Sequence, residues 1–146
     1  MNDFSRILVP VDGSEISERA AQKAINLAQL SEGTIDFLYV ANITGITGGN
    51  HLKSDLNLPA EVLENLKASG KKVLERVVKN VPRGMKVNIH CKTGLPAETI
   101  LATASELNSS LIIMGSRGLN LAESMLLGSV SQFLLTRGHF PVLVVK

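Results

Sequence analysis

Gly115-Ser116-Arg117-Gly118, the nine residues Leu119 to Leu127, and Gly128-Ser129-Val130-Ser131 make up the stretch whose residue types and spacing best suit chemistry. It holds three glycines and four hydroxyls, follows an apolar run, Leu111-Ile112-Ile113-Met114, and leads into the helical pattern that starts near Val130. Glycine lets a backbone turn tightly and approach a ligand with no Cβ in the way. Amides at a helix start lack intrahelical partners and lie at the positive end of the helix dipole, so they attract anions. The stretch reads as a phosphate cradle. A plain strand-to-helix turn is the bland alternative for a lone Gly-x-x-Gly.

The cradle is not a Walker A loop, because no lysine follows either glycine cluster. It is not the dinucleotide fingerprint either, which needs closer glycines directly after the first strand. Arg117 is the one cation inside it. One guanidinium does not neutralise a triphosphate, so Mg2+ held by phosphate oxygens and water is expected rather than an all-protein metal cage. The histidines have no spacing that suggests metal or triad chemistry. His51, His90 and His139 are all read as solvated surface residues.

The elements that would position the cradle follow from periodicity. Ile7-Leu8-Val9-Pro10-Val11 is a continuous apolar run, as for a strand buried on both faces. Pro10 suits the end of that strand, since it cannot donate to a ladder. Asp12-Gly13-Ser14 breaks the run, and Ser14 is the expected N-cap of a helix over 15–30. Ile16, Ala20, Ala24, Leu27 and Ala28 share one face of that helix, and Gly33 stops it. Thr34 to Val40 is the second strand. Residues 41–58 show no periodicity, which predicts a long loop. A second helix starts near Pro59, with Val62, Leu66, Gly70, Val73 and Val77 as its stripe, and ends before Pro82. Met85 to Lys92 alternates apolar and polar, the pattern of an edge strand. Pro96 opens a third helix, Leu111 to Met114 is strand four, Val130 to Arg137 is the last helix with Gly138 as its stop, and Pro141 to Val145 is strand five. This β-α alternation predicts an α/β fold: a parallel sheet with helices on both faces.

Composition bounds the rest. At 146 residues, 45% hydrophobic and 19% charged, the chain reads as one compact domain over residues 1–146. A net charge of +2 with scattered basic residues does not point to nucleic acid. One cysteine, Cys91, cannot form an intramolecular disulfide and suits a reducing cytoplasm. Neither a signal peptide nor a membrane span is expected. The uncharged stretch Ser124 to Thr136 falls short of the ~20 apolar residues a span needs.

The complete spacing, Gly-x-x-Gly, nine residues, Gly-Ser, resembles the phosphate-binding pattern of the ATP-binding branch of the universal stress protein family. Ile-Leu-Val-Pro-Val-Asp-Gly-Ser at 7–14 and Gly94-Leu95-Pro96-Ala97-Glu98 resemble that family's other markers. The resemblance covers nearly the whole chain. It implies a single three-layer α/β/α domain, Rossmann-like and of the adenine nucleotide alpha hydrolase-like type, with five parallel strands in the order 3-2-1-4-5. Strands 1 and 4 are then neighbours where the winding reverses, and ligands bind at such switch points. The resemblance places Pro10, Val11 and Asp12 at the adenine and ribose end, and Val40 against the base through its backbone. Met114, Gly115, Arg117, Gly118, Gly128, Ser129, Val130 and Ser131 complete the nucleotide site. Asp12 can accept from a ribose hydroxyl, and the Ser129 and Ser131 hydroxyls can donate to phosphate. Asp12 is also an ordinary turn residue, and the serines are ordinary caps.

Other α/β classes fit worse. A receiver domain needs an acidic cluster after strand 1, an acceptor aspartate after strand 3 and a lysine near strand 5; the chain offers Asp12 alone, Thr93-Gly94 and the terminal Lys146. Adenylyl-transferring relatives carry a His-x-Gly-His signature absent here, and nothing distinctive supports an electron-transfer flavoprotein. Two function classes remain. One is a regulatory binder of ATP, or of AMP or ADP, whose occupancy a still unidentified protein partner reads. The other is a slow ATPase, or an enzyme that autophosphorylates Ser129 or Ser131. A homodimer through strand 142–145 is expected as well, because that edge is apolar on both faces.

Overall fold

The computed structural model describes residues 4–43, 59–116 and 127–146. In chain order they form β1 (Arg6–Pro10), α1 (Glu15–Ser31), β2 (Thr34–Asn42), α2 (Ala60–Val78), β3 (Val87–Gly94), α3 (Pro96–Leu107), β4 (Leu111–Gly115), α4 (Ser129–Arg137) and β5 (Val142–Val145). The strands pair in parallel in the order β3-β2-β1-β4-β5, as the resemblance implied. The loop expected over 41–58 lies outside the described residues from position 44 on. Its first two residues continue β2 instead, because Ala41 and Asn42 still pair with Thr93 and Gly94.

Strand alternation divides the sheet into two faces. Ile7, Val9, Ile35, Phe37, Leu111 and Ile113 pack under α1 and α2, against Ala20, Ala24, Ile25, Leu74 and Val77. Leu8, Leu38, Ile112 and Met114 face α3 and α4, against Ile100, Ala104 and Leu134. Burial on both faces explains the continuous apolar runs of β1 and β4. Each fully buried side chain of this size stabilises the fold by about 1.5–3 kcal/mol before entropy is counted. No helix among the described residues is long and apolar enough to cross a membrane.

Three local details refine these expectations: α1 and α4 both stop at the expected glycines, though neither through a left-handed glycine. Gly33 does not supply the left-handed turn after α1. Glu32 does, at φ 55°, while the Gly33 N–H donates to the Ala28 carbonyl at 3.1 Å. Gly138 ends α4 from extended backbone, at φ −85° and ψ 160°, with its N–H on the Leu134 carbonyl at 3.0 Å. The third concerns β3, an edge strand whose polar residues Asn88 and His90 reach a carboxylate on β2 instead of only solvent. Asn88 Nδ2 donates to Asp36 Oδ1 at 3.0 Å, and His90 Nε2 lies 3.0 Å from the same oxygen. Ile89 is left 52% exposed. His90 is therefore a partly buried partner of a carboxylate, whereas His139 is exposed as expected and His51 lies outside the described residues.

Asp36 is the reason. It sits in the middle of β2, fully buried, and Arg6 Nε and Nη2 donate to its two oxygens at 2.7 and 3.2 Å. A charged group in a core strand requires such partners. Burial pushes the Asp36 carboxyl upward; hydrogen bonds from Arg6, His90 and Asn88, with the Arg6 charge, more than offset it and hold it below the ordinary range.

Candidate functional site

β1 and β4 pair at Ile7–Leu111 and Leu8–Ile112, then run out side by side at Pro10 and Gly115. Their connections leave to opposite faces, α1 on one and α4 on the other, so a crevice opens at their carboxyl ends. A cavity of about 400 Å³ lies there.

Its first wall is the turn after β1. Gly13 stands at φ +88°, a conformation that favours glycine. The Ser14 N–H donates to Asp12 Oδ1 at 2.9 Å, which closes an Asx turn and leaves the second carboxylate oxygen without a protein partner among the described residues. Ser14 then caps α1, accepting the Ser17 N–H at 3.2 Å.

The second wall is the end of β2. Thr34 N–H donates to the Ser5 carbonyl, and Val11 N–H to the Leu38 carbonyl, each at 2.9 Å; even-numbered residues of β2 thus turn their backbone groups toward β1. Ile35 N–H on the Lys86 carbonyl, at 3.0 Å, turns the odd-numbered ones toward β3. β1 ends at Pro10, opposite Leu38. Val40 consequently aims its N–H and C=O past the last rung, side by side, into the cavity it lines.

The third wall is the start of α4. Gly128 is its N-cap, and no side chain among the described residues caps the first-turn amides. The Gly128 N–H donates to the Ser116 carbonyl at 2.7 Å, which pins the two ends of the intervening segment together. The two cradle serines differ. Ser129 is exposed and lines the cavity. Ser131 is buried, and its hydroxyl is directed inward onto the Gly115 and Ser116 carbonyls at 3.1 and 3.3 Å.

Pro10, Val11, Asp12, Val40, Met114, Gly115, Gly128, Ser129, Val130 and Ser131 all line this one cavity. Arg117 and Gly118 lie outside the described residues. Sequence reasoning missed Ser17, Leu38, Tyr39, Asn42, Pro96 and Ile100. The apolar members among them have no signal beyond ordinary core patterning, whereas Ser17 breaks the alanine face of α1. Burial, then the nearby Cys91 and Asp12, pushes the Tyr39 phenol above its usual range, so it stays neutral. Asp12 is the one carboxylate in the described lining, and no three His, Cys, Asp or Glu among the described residues gather as a metal site.

A family model described as the universal stress protein family matches residues 3–146. The chain is 34% identical to universal stress protein MJ0531 of Methanocaldococcus jannaschii, over 99% of this chain and 84% of that one. It is 32% identical to universal stress protein YxiE of Bacillus subtilis, over 98% and 99%. The solved structure of MJ0577 superposes with a TM-score of 0.83 at 29% identity, covering 98% of this chain and 96% of that one. More distant structures share the fold: a universal stress protein in complex with cAMP (TM-score 0.66, 21% identity, 97% and 96% coverage) and one from Archaeoglobus fulgidus in complex with dAMP (0.64, 18%, 97% and 97%).

Proposed function

The chain belongs to the universal stress protein family, and we propose that it is a nucleotide-binding member whose crevice takes ATP, or AMP or ADP, as a regulatory stress-response module. The observation that carries this reading is the backbone pair of Val40, without a partner among the described residues, inside a cavity that also holds Asp12 and the start of α4. A donor and an acceptor on one residue complement adenine, whose N1 accepts and whose 6-amino group donates. Guanine presents the opposite pair. Asp12 offers one carboxylate oxygen to a ribose hydroxyl, and the amides of α4 with the Ser129 hydroxyl offer donors to phosphate. The cavity falls within the usual range for small-molecule sites. That the cAMP and dAMP complexes are of proteins with this fold agrees with the reading.

Mg2+, bound through phosphate oxygens and water, would supply the charge neutralisation that Arg117 alone does not. The lining favours a binder over an enzyme. Hydrolysis needs a group that orients water or accepts a proton, and Asp12 is already engaged by Ser14 at the sugar end. If autophosphorylation occurs, its acceptor is Ser129, because Ser131 is buried and hydrogen-bonded inward. A homodimer through the free edge of β5 and a cytoplasmic setting, suited to the free thiol of Cys91, complete the proposal.

Calorimetric titration with Mg-ATP and Mg-GTP tests the base assignment. ATP is expected to bind at least about tenfold tighter, since guanine leaves both Val40 groups facing like groups. Equal affinity for the two, or none for either, would remove Val40 as the base reader.

A further inference from the structure

We propose that Ser17 is a positioning residue for the ribose, holding the Asp12 carboxylate toward the cavity; the inference rests on the adenine-nucleotide reading above. Ser17 is only 5% exposed, on the face of α1 where the other inward positions include Ala20, Ala21, Ala24 and Ala28. A buried hydroxyl among alanines needs a reason.

Its bonds supply one. Ser17 is the third residue of α1, the position from which a capping-box side chain reaches back to the N-cap amide. That amide, on Ser14, is already taken by Asp12 Oδ1. Ser17 Oγ reaches further instead and accepts the Asp12 N–H at 3.3 Å, while donating its single proton to the Ser14 carbonyl at 3.1 Å. The Ser17 N–H meanwhile donates to Ser14 Oγ. The Asp12 side chain, the Asp12 amide and the helix cap are thereby tied into one set of bonds across Gly13. Its proton is directed at the Ser14 carbonyl rather than into the cavity that Ser17 lines. It acts through Asp12.

Alanine at 17 suits a helix and removes only the hydroxyl. Titration of wild type, Ser17→Ala, Ser17→Thr, Asp12→Ala and the Ser17→Ala/Asp12→Ala pair with ATP and 2′,3′-dideoxy-ATP tests the role. Thermal melts confirm that each variant is folded. Ser17→Ala is expected to weaken ATP about fivefold, the scale of one net hydrogen bond, and dideoxy-ATP less than about twofold. Ser17→Thr, which keeps the hydroxyl, should recover most of the loss. The double variant should bind ATP no more weakly than Asp12→Ala, because residues acting as a unit are not additive. Equal weakening of both ligands, or additive losses, overturns the inference while leaving the nucleotide reading intact. A wild type that binds no adenine nucleotide overturns both. Hydrogen exchange at the Asp12 amide gives a ligand-free check: it should quicken in Ser17→Ala and slow again in Ser17→Thr, and an unchanged rate contradicts the latch.

Discussion

Replacing Arg6 with methionine strips the buried Asp36 of its one strong cation. Among the described residues Oδ2 then has no donor, and Oδ1 keeps only Asn88 and His90, each at 3.0 Å. Breaking a buried ion pair by removing one partner costs about 3–5 kcal/mol. Arg6 itself is 36% exposed, so water screens part of the pair, while Asp36 is wholly buried. The expected loss is about 2–4 kcal/mol, a large share of a domain's roughly 5–15 kcal/mol. The melting temperature should fall by roughly 5–15 °C at neutral pH.

The pH dependence carries the sign. In the wild type the folded Asp36 carboxyl is held below its unfolded value of 3.8, so its stabilisation is complete above that value and is lost as pH falls toward the folded one. Without Arg6, burial dominates and the folded carboxyl should rise above the unfolded value. Its protonation then relieves the variant, so the gap to wild type should narrow as pH drops from 7 to 5. Adding Asp36→Asn removes the stranded charge and should recover part of the loss. Urea titrations of the three proteins at both pH values measure this. A single variant within about 0.5 kcal/mol of wild type, the ordinary range for surface changes, or a gap that widens in acid, would refute the reasoning.

Gly70→Ala sets helix propensity against packing: alanine gains about 1 kcal/mol in a helix, but its Cβ would lie 2.5 Å from Tyr39 Cδ1 and 3.0 Å from Cys91 Sγ. Overpacking of about 1–3 kcal/mol should win, and a more stable variant in urea would contradict it. Gly128→Asp should keep or slightly raise stability, since aspartate is a good N-cap, yet lose ATP affinity at least about tenfold through charge repulsion at the phosphate end; unchanged affinity would put the phosphates elsewhere. Leu143→Lys should turn a dimer into a monomer in light scattering, because Leu143 is 43% exposed on the free edge of β5; a monomeric wild type, or a dimer indifferent to the change, removes that edge from the interface.

Element type and order were legible because local periodicity sets them: buried runs for β1 and β4, alternation for β3, and Ser14 and Pro96 at helix starts. Strand order was not, since pairing joins residues such as Ile7 and Leu111 that share no local pattern; the family resemblance supplied it. The Asp36 cluster was missed although its signal was present. A carboxylate inside the apolar run 35–40 had to find partners, and Asn88 and His90 two residues apart were available on a neighbouring strand. The cradle and Asp12 were readable as residue types at the ends of strands. What the sequence does not carry is direction: that Val40 turns its backbone outward, and that Ser129 and Ser131 point apart, follow from where β1 stops and how α4 packs.

Thermal melting of the wild-type protein in excess Mg-ATP asks whether the β1–β4 crevice is a nucleotide site at all. The chain has no tryptophan and a single tyrosine, so adenine retained through purification would also dominate its ultraviolet spectrum. At a hundredfold excess over Kd, a ligand specific to the folded state adds ~2.7 kcal/mol, and the midpoint should rise by roughly 5–10 °C. The rise should be absent in Gly128→Asp. A nucleotide-free protein whose midpoint does not move at millimolar Mg-ATP, or an equal shift in wild type and Gly128→Asp, would contradict the assignment of this crevice.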